Sequence, residues 1–110
     1  MEAVSRTSQQ QMTADAVFES LRGEATRIRE LAPGSVWYLF GSSVHDFERA
    51  ADIDILVVCA SDDEARVVRK ELKAACHAYP LHLFLLTKKE EADLKFITTQ
   101  SCVLLSQHIP

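Results

Sequence analysis

The chain lacks any long hydrophobic run, and no apolar stretch approaches the roughly 18 residues that a membrane-spanning helix needs. The opening residues, MEAVSRTSQQQM, also lack the apolar core of a secretory signal peptide. Three cysteines are too few, too odd in number and too widely spaced for a zinc ribbon or a disulfide framework. We therefore expect a soluble cytoplasmic protein with free thiols.

A surplus of positive charge is also missing, because Asp and Glu outnumber Lys and Arg by 16 to 12 and the formal net charge is −4. Proteins that hold nucleic acid through its phosphates usually present a basic surface. Bulk nucleic-acid binding is therefore not expected. The charge does not exclude a local binding site in which a metal ion neutralises both the acids of the protein and an anionic ligand.

What is present is an alternation of helical and strand patterns within 110 residues, the size of one domain. Residues 1–12 are polar and predict a flexible leader, and residues 13–110 predict a single domain. Apolar residues at helical spacing predict a first helix that starts at Thr13, buries Leu31 on its apolar face and ends at Pro33-Gly34.

Three apolar runs rich in β-branched and aromatic residues predict buried strands: SVWYLF, DIDILVVC and LHLFLLT. The run CVLLS predicts a short fourth strand. Ser61 with Glu64, and Thr87 with Glu90, have the spacing of capping boxes and predict helices after the second and third strands. The second of these helices is expected to run through Leu94 and Ile97. The fold class is therefore α/β, a three- to four-stranded mixed sheet packed by helices.

A turn of sequence Gly41-Ser42-Ser43 directly follows the first strand. Glycine permits a sharp turn and close approach of the backbone to a ligand. One helical turn beginning beside Ser42 would offer free N–H groups to a phosphate, and the serine hydroxyls would add donors. Most such turns only connect elements, so this feature alone does not define a site.

Asp52 and Asp54 open the second strand and flank Ile53. Side chains alternate along a strand, so the two carboxylates point to the same face. Such a pair repels unless it is protonated or bridged by a cation, and hard divalent cations prefer oxygen ligands and phosphates. Two acids at the start of a strand, taken by themselves, more often face solvent. Here, however, they follow the Gly-Ser turn, and nine residues separate Ser42 from Asp52.

The segment that combines the turn and the two acids resembles the signature of the minimal nucleotidyltransferases in the DNA polymerase β superfamily. Its sequence is LFGSSVHDFERAADIDILVV. The resemblance spans about Val36 to Leu105 and implies the small nucleotidyltransferase fold. It implies that Gly41, Ser42 and Ser43 bind a nucleoside triphosphate, with ATP as the expected substrate. It also implies that Asp52 and Asp54 hold Mg²⁺, or alternatively Mn²⁺, while an acceptor hydroxyl attacks the α-phosphate.

The expected partners follow from the same resemblance. A chain this short has no room for a domain that binds the acceptor, so the acceptor is expected on a partner protein or at a subunit interface of a homo-oligomer. Many minimal members of the family pair with a helical HEPN-domain protein in toxin–antitoxin modules, which makes such a protein the implied partner.

One element of the signature is missing, because no acid occurs between Glu71 and Glu90, where active relatives carry a third carboxylate. The only polar residue inside the third strand is His82. It could act as a general base, or ligate a metal of the Zn²⁺ or Mn²⁺ type, or remain as a structural residue.

Three functions follow from these readings. The first is a metal-dependent nucleotidyltransferase with Asp52, Asp54 and His82 as catalytic residues. The second is a nucleotide-binding or regulatory pseudoenzyme that acts by protein–protein binding, and the third is a plain interaction domain.

Overall fold

The computed structural model describes residues 13–50, 52–74 and 80–108 of the chain. The predicted leader, residues 1–12, lies outside the described residues. The first helix, α1 (Ala14–Arg29), is capped by the Thr13 hydroxyl, which accepts a hydrogen bond from the Ala16 N–H. It ends before Leu31, which is 56% exposed, so the prediction that Leu31 lies on the apolar face is wrong.

The remaining helices and strands follow in an alternating order. In chain order they are β1 (Val36–Phe40), α2 (Ser42–His45), a 3-10 turn (Phe47–Arg49), β2 (Ile53–Cys59), α3 (Asp62–Ala74), β3 (Leu81–Thr87), α4 (Lys88–Leu94), α5 (Phe96–Thr99), β4 (Val103–Leu104) and a 3-10 turn (Leu105–Gln107).

The four strands form one sheet in the order β3-β2-β1-β4. Strand β1 runs antiparallel to both β2 and β4, and β2 runs parallel to β3. A four-stranded mixed sheet packed by five α-helices among the described residues confirms the predicted α/β class. None of these helices has the length and apolar character that would let it cross a membrane.

The two faces of the sheet are packed differently. Alternate residues of β1 and β2 join the apolar faces of α1 and α3 in the larger core, where Phe18, Leu39 and Ile55 are fully buried. The other face carries a smaller cluster built on Phe40, Leu56 and Val58, against which Phe96 and Ile97 pack. Six of the seven residues of β2 are buried, as the continuous apolar run of this strand predicts.

The helix predicted through Leu94 and Ile97 is in fact two helices. Lys95 adopts a left-handed conformation with φ of 55° and ends α4, and its N–H donates to the Glu91 carbonyl. The Glu91 carboxylate then accepts from the Ile97 N–H at 3.0 Å, which supports the start of α5. The capping box of Thr87 and Glu90 is complete, as predicted.

The capping box predicted for Ser61 and Glu64 is only half formed. The Ser61 hydroxyl accepts from the Glu64 N–H at 3.2 Å. The Glu64 carboxylate instead accepts from the Ala60 N–H at 2.9 Å and from the Gly34 N–H at 2.8 Å. This one side chain therefore ties the start of α3 to the turn that precedes β1.

Candidate functional site

The turn after β1 depends on the absence of a side chain at Gly41. Its φ of 79° and ψ of −166° lie in a region that only glycine adopts readily. A Cβ built on Gly41 would lie 2.2 Å from the Oδ2 atom of Asp54 and 3.1 Å from its Cγ atom. The glycine thus lets the backbone of the turn pack directly against one of the two predicted metal-binding acids.

The two serines of the turn have different environments. Ser42 is exposed at the start of α2, whereas Ser43 is 2% exposed. The Oγ atom of Ser43 is buried and has no hydrogen-bond partner in the described part of the chain. Ser42 is therefore the serine that an incoming ligand can reach directly, and Ser43 carries an unsatisfied polar group beneath the same turn.

The strand register brings the acids to the centre of the site. Asp54 pairs with Phe40 of β1 on one side and with His82 of β3 on the other. Because paired residues on adjacent strands point to the same face, Asp54 and His82 project together. Asp52 lies directly before β2 and is half-buried. The fold therefore brings together Gly41, the two acids and His82, which come from three separate stretches of the sequence.

His82 contacts Asp54 directly, with 3.1 Å between the imidazole Nδ1 and carboxylate Oδ1 atoms. The His82 side chain is 56% exposed, while that of Asp54 is 20% exposed. The His82 ring also packs on Phe84, with 4.5 Å between the ring centroids. The imidazole is thus held between an acid and an aromatic ring, with one edge open to solvent.

The donor set of Asp52, Asp54 and His82 fits a divalent cation. One ligand atom from each residue can be chosen so that all three lie within 4.8 Å of one another. Two ligands that each lie about 2.1 Å from one ion are separated by at most about 4.2 Å, so small side-chain movements suffice. Two carboxylates and an imidazole suit Mn²⁺ or Zn²⁺ better than Mg²⁺, which prefers oxygen ligands alone.

The loop between the two halves of the motif does not join this cluster. His45, Asp46, Glu48 and Arg49 are exposed, and Asp46 pairs with Arg49 at 3.5 Å. Ion pairs this exposed contribute little to stability. These four side chains therefore belong to the solvated surface of the protein and not to the cluster of Asp52, Asp54 and His82.

Cysteine chemistry is not supported at the two described thiols. Burial raises the pKa of the Cys59 thiol to about 11, and the Glu64 carboxylate adds to the increase. Burial and the Glu91 carboxylate raise the pKa of the Cys102 thiol to about 11 as well. Both thiols therefore stay protonated near neutral pH, where only the thiolate would be a nucleophile.

In comparisons with known proteins, the chain matches no family model, no curated protein and no solved structure. The geometry of the site and the chemistry of its side chains therefore have to carry the functional assignment.

Proposed function

We propose that this chain is a metal-dependent nucleotidyltransferase that moves a nucleoside monophosphate from a nucleoside triphosphate to an acceptor hydroxyl. The observation that carries the proposal is the convergence of Gly41, Asp54 and His82 at one end of the sheet. Asp54 lies against the glycine turn on one side and contacts the imidazole on the other. Each of these features has a role if the bound ligand is a metal–triphosphate complex.

The two acids and the turn have complementary tasks in this proposal. Asp52 and Asp54 hold the divalent cation, which supplies positive charge against the phosphates. The backbone of the Gly41 turn and the exposed Ser42 hydroxyl bind the terminal phosphates, since N–H groups in the first turn of a helix have no acceptor within it. ATP is the proposed substrate, and the cytoplasm is the proposed location.

The transfer itself is a substitution at phosphorus. The acceptor oxygen forms a bond to the α-phosphorus, the bond from this phosphorus to the bridging oxygen breaks, and pyrophosphate leaves. The acceptor proton has to go to a base within reach. If the His82 Nδ1–H donates to Asp54, the Nε2 atom carries the free electron pair and can take that proton.

A second candidate function is a nucleotide-binding module without turnover, and the same histidine favours it. An imidazole N–H that donates a hydrogen bond to the Asp54 carboxylate can stabilise this acid without a bound metal ion. Such a module would act by binding a partner protein, for which a HEPN-domain protein is the proposed example.

Thermal unfolding with ATP, GTP, CTP and UTP, each with Mg²⁺, with Mn²⁺ and without metal, tests for the site. Ligands that bind only the folded state raise its apparent stability, so we expect a metal-dependent increase in the melting temperature. The increase should vanish in Asp52→Asn/Asp54→Asn. It should persist in Asp62→Asn/Asp63→Asn, which removes the same charge from exposed positions in α3. No increase with any nucleotide and metal would refute both candidate functions.

Pyrophosphate release distinguishes the enzyme from the module. The measurement uses the chain with ATP and metal, in the presence and absence of a candidate partner protein. Release that depends on Asp54 supports transfer. If the native chain binds nucleotide but releases pyrophosphate only after His82→Asp, the native site is a binding site.

A further inference from the structure

Strand β3 forms one edge of the sheet in the described part of the chain, and this edge lacks the usual protection. Between Leu81 and Thr87 there is no charged residue and no proline, and the pairing with β2 runs residue for residue without a bulge. The opposite edge is the two-residue strand β4, which turns at once into a 3-10 helix. Long apolar edges without such protection pair readily with another strand.

The backbone groups available on this edge follow from the register. The Ile53 N–H donates to the Pro80 carbonyl at 3.0 Å. In a parallel ladder, alternate residues direct both backbone groups to the same neighbour. The even-numbered residues of β3 therefore face β2, and Leu81, Leu83 and Leu85 direct their N–H and C=O groups outward. The Thr87 N–H is already bonded to the Glu90 carboxylate.

The side chains of β3 are incompletely covered. No residue of this strand is fully buried, in contrast to the mostly buried β2. The partly exposed apolar positions lie on both faces of the sheet, with Leu83 and Leu85 against the larger core and Phe84 and Leu86 against the smaller cluster. An added strand would cover apolar surface on both faces as well as pair the free backbone groups.

Two acids lie beside the start of β3, whereas two lysines follow its end, where the carboxylates of the neighbouring Glu90 and Glu91 accept backbone N–H groups. The acids are Asp52 and Asp54, and the lysines are Lys88 and Lys89. Both lysines are exposed, and neither forms an ion pair with another described residue. A second β3 strand that runs antiparallel to the first would place each lysine pair beside the acids of the other copy.

We propose that a second copy of this chain pairs with β3 in antiparallel orientation across a two-fold axis. Full overlap of the two strands puts Phe84 opposite its own counterpart, and Leu83 exchanges backbone hydrogen bonds with Leu85 of the second copy. Thr87 of the second copy then lies opposite Leu81, so the Lys88 that follows it comes close to the end of β3 at which Asp52 and Asp54 lie. The dimer does not depend on the proposed function, although it brings positive charge to the candidate site.

Sedimentation equilibrium of the full chain over a wide concentration range tests the dimer. We expect a species of twice the 12.3 kDa mass of the chain. Lys88→Glu/Lys89→Glu should raise the dissociation constant about tenfold or more, because several opposite-charge contacts become repulsive. Both positions lie in the first turn of α4, where acids suit the helix dipole, so the variant should fold at least as well. Lys70→Glu/Lys73→Glu on exposed positions of α3 is the matched control and should leave the dimer intact.

A second variant tests the backbone pairing. Leu83→Pro removes an outward N–H without removing a hydrogen bond to β2, and it should abolish the dimer in a chain whose circular dichroism shows that it is folded. A monomer at every concentration would overturn the proposal. So would a dimer that is weakened by the α3 control and not by the lysine pair of α4. Dimerisation that appears only in a variant without residues 1–12 would also overturn it, because the leader would then occupy this edge in the full chain.

Discussion

Gly41→Ala tests whether the glycine turn and Asp54 depend on each other. Forcing a non-glycine residue into the observed φ and ψ costs about 1–3 kcal/mol of backbone strain. The new Cβ would also lie 2.2 Å from Asp54 Oδ2, so the carboxylate has to turn away and lose its contact with His82. A hydrogen bond of this kind contributes on the order of 1 kcal/mol. We expect the free energy of unfolding to fall by about 2–4 kcal/mol.

Gly23→Ala is a matched control that should have the opposite sign. Gly23 lies within α1, and a Cβ built there has nothing within 4 Å. Alanine restricts the unfolded chain and is a better helix former, so this variant should gain about 0.5–1 kcal/mol. Urea unfolding followed by circular dichroism measures both changes, since a domain of this size usually unfolds in two states.

The contribution of the acid can be separated with Asp54→Ala. In that background the Cγ and Oδ2 atoms are gone, and the nearest remaining Asp54 atom is Cβ at 3.4 Å, an ordinary contact. The cost of Gly41→Ala should then shrink to the backbone strain, with a coupling energy of roughly 1 kcal/mol. An equal cost in both backgrounds would show that Asp54 does not pack against the turn. No cost in either background would refute the conformation of the turn itself.

Three further changes probe the candidate metal site, a long-range hydrogen bond and a partly buried histidine. His82→Asp should raise the affinity for Mg²⁺ relative to Mn²⁺, because oxygen replaces nitrogen in the donor set; calorimetric titration of both ions measures the ratio, and an unchanged ratio excludes His82 as a ligand. Glu64→Ala should lower the free energy of unfolding by about 1–3 kcal/mol, because two backbone N–H groups lose their acceptor; urea unfolding checks this, and a neutral result would contradict it. Burial and the neighbouring Arg22 lower the pKa of His108. The unfolded chain therefore takes up this proton more readily, and His108 reduces stability as pH falls through the ordinary histidine range. His108→Phe should keep the ring contact with Phe18 and weaken that dependence, as urea midpoints at pH 7.5 and 5.5 would show; an unchanged dependence would contradict the assignment.

The strands could be predicted because their signal is local. Six residues of β2 are buried, and a continuous apolar run of this length is typical of a strand that is covered on both faces. The capping box of Thr87 and Glu90 was equally readable, because both partners lie within one turn of the helix. The end of α1 was not, since Leu31 continues the apolar spacing but falls in the turn after the helix.

Long-range partners could not be read from the sequence in the same way. Glu64 has the spacing of a capping box, yet its carboxylate reaches Gly34, 30 residues earlier in the chain. The spacing of Ser61 and Glu64 identifies only a nearby N–H donor for that carboxylate. Which donors lie closest depends on how the chain folds around the sheet. Similarly, nothing in the sequence around His108 indicates that its ring packs edge-on against Phe18 at 4.9 Å.

The candidate site shows the same division between local and distant information. The Gly-Ser turn and the two acids are readable as a motif, because they lie at the ends of adjacent antiparallel strands. The contact of His82 with Asp54 depends on the parallel register of β2 and β3, in which Ile53 pairs with Leu81. A shift of one residue would turn His82 to the other face of the sheet. The sequence alone could therefore not show whether the His82 side chain lies on the same face of the sheet as the two acids.

Of the three residues in the candidate site, His82 is the one whose replacement the structure tolerates most easily. Asp54 lies on an interior strand and packs against the turn at Gly41, so a larger side chain there would disturb the turn. His82 lies on an edge strand and is 56% exposed, so its replacement costs little packing. In the proposed metal site, the third donor can thus change at β3 while the acids and the turn stay fixed. The same exposure leaves His82 within reach of whatever joins that edge, whether an acceptor, a partner protein or a second copy of the chain.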